Sequence, residues 1–121
     1  RTALAMRYRE KLAEIEEIRP LSDPDYEIKH AWHLFIVRVV SDRMDRDTFM
    51  AELKARNIGT GLHFRCTHLQ KYYRDVMGCK PGSLPNTEWN SDRILSLPLF
   101  PSMTEGDQDD VINAIKEILA S

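Results

Sequence analysis

Long apolar runs are missing from this chain. The most apolar stretch, Leu34–Val37 and Val39–Val40 split by Arg38, falls far short of the ~20 residues that a membrane-spanning helix needs. No charged-then-apolar start resembles a signal peptide either, so the expectation is a soluble, cytoplasmic protein with no membrane partner. Cysteine is scarce. Cys66 and Cys79 are the only two, too few for a disulfide framework, and both thiols are expected to be free. A basic run is also absent: 17 Lys plus Arg against 19 Asp plus Glu leave a formal charge of −2. Nothing in that balance tracks a phosphate backbone, and nucleic acid is excluded as a partner. Among the five glycines, Gly59 and Gly61 form only a GxG, without the third glycine or the helix start that would seat a pyrophosphate.

What is present is ordinary globular material. The 121 residues are 42% hydrophobic and 30% charged, which fits one domain, residues 1–121, long enough to bury a core without staples. The opening Arg1–Tyr8 is helical in character but has no cap and no initiating Met, which reads as a cut inside a helix. Leu4, Tyr8, Leu12 and Ile15 recur at the spacing of one helical stripe, with Arg7, Glu10, Lys11, Glu14 and Glu17 on the solvated faces. That helix, Leu4 to Ile18, is expected to stop before Pro20. Pro20–Asp25 then makes a turn-rich connector.

His33–Val39 is β-branched and aromatic with little alternation until its end, as in a central strand buried on both faces or nearly so. Asp45 stands where an N-cap belongs, Phe49, Met50 and Leu53 give a helical stripe, and Asn57 suits the left-handed end of that helix. Ile58–Phe64 alternates, which predicts a strand with Gly59, Gly61 and His63 on one nearly bare face. Two glycines on one strand face mark close approach by a backbone or a ligand. Leu69–Met77 has weak helical periodicity, Gly78–Ser83 reads as a loop, and Asn86 or Thr87 is the expected cap of a short helix reaching Arg93. Ile94–Phe100 is a strand confined to an edge by Pro98. Thr104 and Asp107 form a capping box that opens a last helix with Val111, Ile115, Ile118 and Leu119 toward the core. The expected class is α/β, as a two-layer α+β fold with a small, mainly antiparallel sheet of about three strands and helices on one face.

The densest polar group is His63–His68, at the end of the glycine-bearing segment, and it suits an anion, a sugar or a metal. A zinc site from His63, Cys66, His68 and Cys79 has the ligand types but no CxxC pair or HxxxH helix, so no metal is predicted. Cys66 beside Arg65 meets part of the requirement for a nucleophile, yet its base would have to be His63 or His68, which are only sequence neighbours. His30 and His33 fall on opposite faces of an extended segment and are read as structural. Trp32, Tyr72, Tyr73 and Trp89 are read as core or interface aromatics. The residues alone leave two readings of the cluster open, a ligand-facing loop and a set of satisfied polar groups.

From Arg7 to Leu119 the chain resembles the small C-terminal domain of the DegT/DnrJ/EryC1/StrS family of pyridoxal-phosphate-dependent sugar aminotransferases. The resemblance rests on the ordered blocks His30–Phe35, Ile58–Phe64, His68–Tyr73 and Leu97–Pro101, then Met103-Thr104 and Val111-Ile112. Within the family, Gly61–Arg65 and Thr87–Ser91 are most similar to members acting on a UDP-4-keto-pentose, although Cys66-Thr67 replaces a commoner Pro-Leu pair. The resemblance implies a fold-type-I aminotransferase whose residues 1–19 join two domains and whose residues 20–121 form the small one. It implies that the Schiff-base lysine and the pyridoxal 5'-phosphate cradle lie in a large N-terminal domain outside this chain. The substrates implied are a nucleotide sugar and glutamate or 2-oxoglutarate, and the assembly implied is a homodimer. His63, Arg65, His68 and Gly61 would line the substrate side, with no catalytic or cofactor-binding residue in this chain, which alone would be inactive. The alternative is a free-standing α/β module that binds a ligand or metal through the His63 end.

Overall fold

The computed structural model describes residues 1–120. Helix α1 (Thr2–Leu12) leads through a turn to strand β1 (Ile18–Pro20), and a long connector reaches strand β2 (Phe35–Val39). Helix α2 (Arg46–Ala55) follows, then an extended segment, a 3₁₀ turn (Thr67–Leu69) and helices α3 (Lys71–Asp75) and α4 (Pro85–Ser91). Strand β3 (Ile94–Leu97) and helix α5 (Glu105–Ala120) close the chain. The sheet is antiparallel in the order β1-β2-β3, the expected class with β2 at its centre. Among the described residues no helix is long and apolar enough to cross a membrane.

Register divides the residues of the sheet. Ile18, Phe35, Val37, Val39, Leu95 and Leu97 fall on one face and are buried under α1, α2 and α5 with Tyr8, Leu12, Phe49, Leu53, Ile112 and Ile115. Arg19, Ile36, Arg38, Ile94 and Ser96 fall on the other. β2 therefore alternates between buried and half-buried positions, and its second face is not fully buried as its apolar run predicts. A centre strand in a three-stranded sheet with helices on one side is protected on that side only.

The helix signals hold where they are local. Asp45 accepts from the Thr48 N–H at 2.7 Å, and Asn57 closes α2 with φ of 62°. Thr104 and Asp107 exchange bonds of 3.0 Å each, the reciprocal box that starts α5. Four expectations are corrected. The first helix ends at Leu12, not Ile18, because Ile18–Pro20 pairs with Val37–Val39 as an edge strand. Arg7 is not on a solvated face: it donates to Gln108 Oε1 at 3.0 Å and to Asp109 Oδ1 at 2.7 Å, while Gln108 Nε2 donates to the Leu4 carbonyl at 2.7 Å, joining α1 to α5. α4 begins at Pro85, whose missing N–H costs nothing at a first helical position, so neither Asn86 nor Thr87 caps it. Ile58–Phe64 is extended but not a strand; its backbone pairs with the sheet only where Gly61 and Ser96 exchange bonds of 3.1 and 2.8 Å. Continued pairing would set Gly59 against Pro98, which has no N–H to donate.

Phe49 is fully buried between α2 and the sheet. Phe49→Ala is expected to lower the unfolding free energy by about 3–5 kcal/mol, read as an earlier midpoint in urea.

Candidate functional site

The extended segment after α2 builds the site. Gly61 bridges Ser96 along the outer edge of β3, and the chain returns the His63 ring over Gly61. A Cβ on Gly61 would stand 2.5 Å from His63 Cε1 and 3.0 Å from Nδ1. The close approach predicted from glycine is real at this position, and the approaching group is the chain's own imidazole. Gly59 has no backbone or side chain near it, so no protein group makes the close approach there. His63 Nδ1 sits 2.9 Å from Ser96 Oγ, and the exposed Phe64 ring stands edge-on to the imidazole at 5.1 Å. Ser96 is thus the ring's anchor, and Nε2 has no partner among the described residues.

Arg65 turns to a different place. It faces a cleft of about 550 Å³ shared with Gln70, Lys71 and Arg74 of the following turn and helix and with Ser91 at the end of α4. The loop carrying it is gripped by α4. The Cys66 N–H donates to Ser91 Oγ at 2.9 Å, and His68 Nε2 donates to Glu88 Oε2 at 3.2 Å. Glu88 and Ser91 are three apart on α4, hence on one face.

His68 is buried, and with the proton on Nε2 its Nδ1 lone pair meets no partner. It packs inside the loop, not toward either opening. The four residues named from sequence therefore divide: Gly61 and His63 form one unit, Arg65 lines a separate cleft, and His68 is a strut. Neither imidazole is paired with the Cys66 thiol, and no three His, Cys, Asp or Glu among the described residues gather as metal ligands.

Three residues were not singled out from sequence. Arg46, the first residue of α2, is buried and donates at 2.9 Å each to the carbonyls of Ser91 and Ile94 and at 2.7 Å to Asp47. Glu88 accepts from the N–H groups of Gly82 (2.8 Å) and Leu84 (3.1 Å) as well as from His68. Ser96 holds His63. Only Ser96 had a readable signal, as the one polar residue in a short apolar strand. Of the aromatics, Trp32 is in the core, but Tyr72 is 60% exposed and Tyr73 is half-open beside it, so that pair is not core. Trp89 lies under the Arg93 guanidinium at 4.4 Å and near Arg38 at 5.9 Å, covering part of the second sheet face.

The chain does not by itself fit a pyridoxal phosphate site. Each of its six lysines, Lys11, Lys29, Lys54, Lys71, Lys80 and Lys116, is exposed. None stands in an enclosed cavity of the kind a Schiff base needs.

Two tests follow from this geometry. Gly61→Ala is expected to push the imidazole off Ser96 with little loss of stability, because the obstructing atom is a movable ring. NMR of the His63 ring nitrogens reads the broken Nδ1 bond, and an unchanged spectrum refutes the arrangement. The Gly82 N–H bond, followed by His68 and the Leu84 N–H, holds the Glu88 carboxyl below its ordinary value of 4.5. A lowered carboxyl stabilises fully above its ordinary value and loses that contribution as pH falls through the folded value. Amide exchange at Gly82 and Leu84 is therefore expected to accelerate beyond its intrinsic trend as pH falls below the ordinary carboxyl value of 4.5 and through the lowered one, and Glu88→Gln should abolish that pH-dependent change.

A sequence profile of the DegT/DnrJ/EryC1/StrS aminotransferase family matches residues 1–116. Among solved structures, the chain is similar to S. venezuelae DesV, solved in complex with a ketimine intermediate, at 34% identity and a TM-score of 0.82 over 99% of this chain and 31% of that one. It is similar to a DegT DnrJ EryC1 StrS aminotransferase from Brucella abortus at 29% identity and a TM-score of 0.78, covering 99% of this chain and 30% of that one. It is also similar to NtdA from Bacillus subtilis, solved with bound cofactor PMP, at 29% identity and a TM-score of 0.82, covering 100% and 28%. The chain thus spans under a third of the length of these relatives. It belongs to the DegT/DnrJ/EryC1/StrS aminotransferase family.

Proposed function

We propose that this chain is the small C-terminal domain of a pyridoxal-phosphate-dependent sugar aminotransferase. In that reading the whole protein moves an amino group from glutamate to the 4-keto carbon of a UDP-4-keto-pentose. The product is UDP-4-amino-4-deoxy-L-arabinose, used in lipid A modification and polymyxin-type resistance. The family match and the resemblance of Gly61–Arg65 and Thr87–Ser91 to that member support it, and the single structural observation that carries it is the anchored His63 ring with its open Nε2. The remaining parts are a large upstream domain holding the cofactor lysine and a second copy completing a homodimer.

The cofactor supplies the electron sink for amino transfer; this chain supplies binding groups. Where the Ser96 hydroxyl donates to His63 Nδ1, the ring proton sits on Nε2. Nε2–H then donates to a sugar or phosphate oxygen, with the ring itself lying over Gly61. The ring is already held before the ligand arrives, so little orientational entropy remains to be lost on binding.

The test uses the full-length polypeptide with UDP-4-keto-pentose and glutamate, reading amino-sugar product by mass. His63→Ala is expected to lower kcat/KM by about 10- to 100-fold, the worth of one hydrogen bond to a polar or charged oxygen. This chain alone is expected to show no turnover. Tight nucleotide-sugar or zinc binding by the isolated chain, with no product from the longer one, would favour the free-standing module instead.

A further inference from the structure

The connector between β1 and β2, residues 21–34, makes no backbone–backbone hydrogen bond among the described residues. Side chains fasten it instead. Arg9 of α1 donates to both Asp23 carboxylate oxygens, at 3.0 and 2.7 Å, and its guanidinium stands 4.8 Å from the centre of the Trp32 ring. The His30 ring stacks on Trp32 at 3.8 Å, and the Trp32 N–H donates to His30 Nδ1 at 2.9 Å. Beside this cluster lies a cavity of about 370 Å³ whose lining includes Leu21, Pro24, Ile28, Leu34 and Phe35.

Trp32 is held in an unusual conformation. Its φ is 50°, in the left-handed region that a bulky side chain rarely enters, and such a residue persists only where its surroundings hold it there. Trp32 is buried, whereas His30 is exposed, so the ring that accepts the Trp32 bond is open to solvent protons. A backbone N–H can only donate, so Nδ1 carries the lone pair and the one ring proton sits on Nε2. A second proton must go to Nδ1, where it turns the acceptor of the Trp32 bond into a donor facing a donor. Stacking on the indole survives that change, since a cation is attracted to its face; the bond that sets the Trp32 backbone does not.

The charged and titratable side chains lining the hollows around His30 are Arg9 from α1 and Asp23, Tyr26, Glu27, Lys29 and His33 from the connector, while β1 and β2 contribute only apolar ones. The Arg9 hydrogen bond holds the Asp23 carboxyl below the usual carboxylate range, and the charges of Arg9 and His30 add to it. Of these side-chain types only imidazole changes charge near neutral pH, and His30 is the imidazole bonded to Trp32.

We propose that His30 is a proton-operated latch. With Nδ1 bare it holds Trp32 in the left-handed conformation and keeps the connector shut over the cavity; with Nδ1 protonated it releases the Trp32 backbone and the connector opens. The latch draws nothing from the amino-transfer reading. Amide exchange at Trp32, followed in the full-length protein from about pH 8 to about pH 5 beside the NMR shifts of the histidine rings, tests it. Exchange beyond the intrinsic trend is expected to rise by about tenfold, the worth of one hydrogen bond, in step with the His30 ring titration. His30→Asn supplies an oxygen acceptor two residues before the Trp32 N–H and cannot titrate, so it is expected to keep Trp32 protected at every pH. His33→Asn is expected to keep the parent's response. A Trp32 amide that does not follow the His30 titration, or a response that survives in His30→Asn or is lost in His33→Asn, overturns the proposal.

Discussion

The arrangement depends on one buried cation. Arg46 begins α2, yet its guanidinium reaches across to the carbonyls that end α4 and begin β3. The last carbonyls of a helix have no partner within it, and a buried one left unpaired is costly. The Arg46 charge would itself be expensive to bury alone; two carbonyls and the Asp47 carboxylate offset that cost. The consequences run outward. A fixed Ser91 carbonyl fixes the Ser91 side chain, which holds the Cys66 amide, which sets where Arg65 departs from the loop. α2, the end of α4, the start of β3 and the Arg65 loop thus share one mechanical reference.

His63 and Arg65 are neighbours in sequence with different foundations. The imidazole is referred to β3 through Ser96, while the guanidinium is referred to α2 and α4 through Cys66. The sheet supplies the more rigid of these, since β2 and β3 pair along four residues. The second face of the sheet, which the helix pattern leaves uncovered, is partly covered by the His63 ring at Ser96 and by Trp89 near Arg38.

Sequence reading succeeded wherever cause and effect lie within one turn. Asp45, Asn57 and the Thr104–Asp107 pair act on amides three or so residues away, so spacing alone reveals them. The apolar run at Phe35–Val39 identified the sheet centre for a similar reason. It failed where partners are far apart. Arg46 and Ser91 are 45 positions apart and His68 and Glu88 are 20 apart, and nothing local distinguishes such an arginine or glutamate from a solvated one. The alternation of Ile58–Phe64 misled differently: alternation reports an extended backbone, whereas a strand also needs a neighbour with donors, which Pro98 denies. Of the candidate site, His63 was legible as a polar end to a bare face, but the separation of Arg65 from it was not. That separation is decided by which anchor each backbone segment finds.

The contact between Gly61 and the His63 ring also bears on inheritance. A Cβ at position 61 and an imidazole at position 63 cannot occupy the same space, so the two positions form one unit of variation. A descendant that acquires any side chain at 61 loses the placement of its imidazole at once, before position 63 itself has changed. A histidine kept at 63 after such a change would no longer be the anchored one, whatever its identity in the sequence.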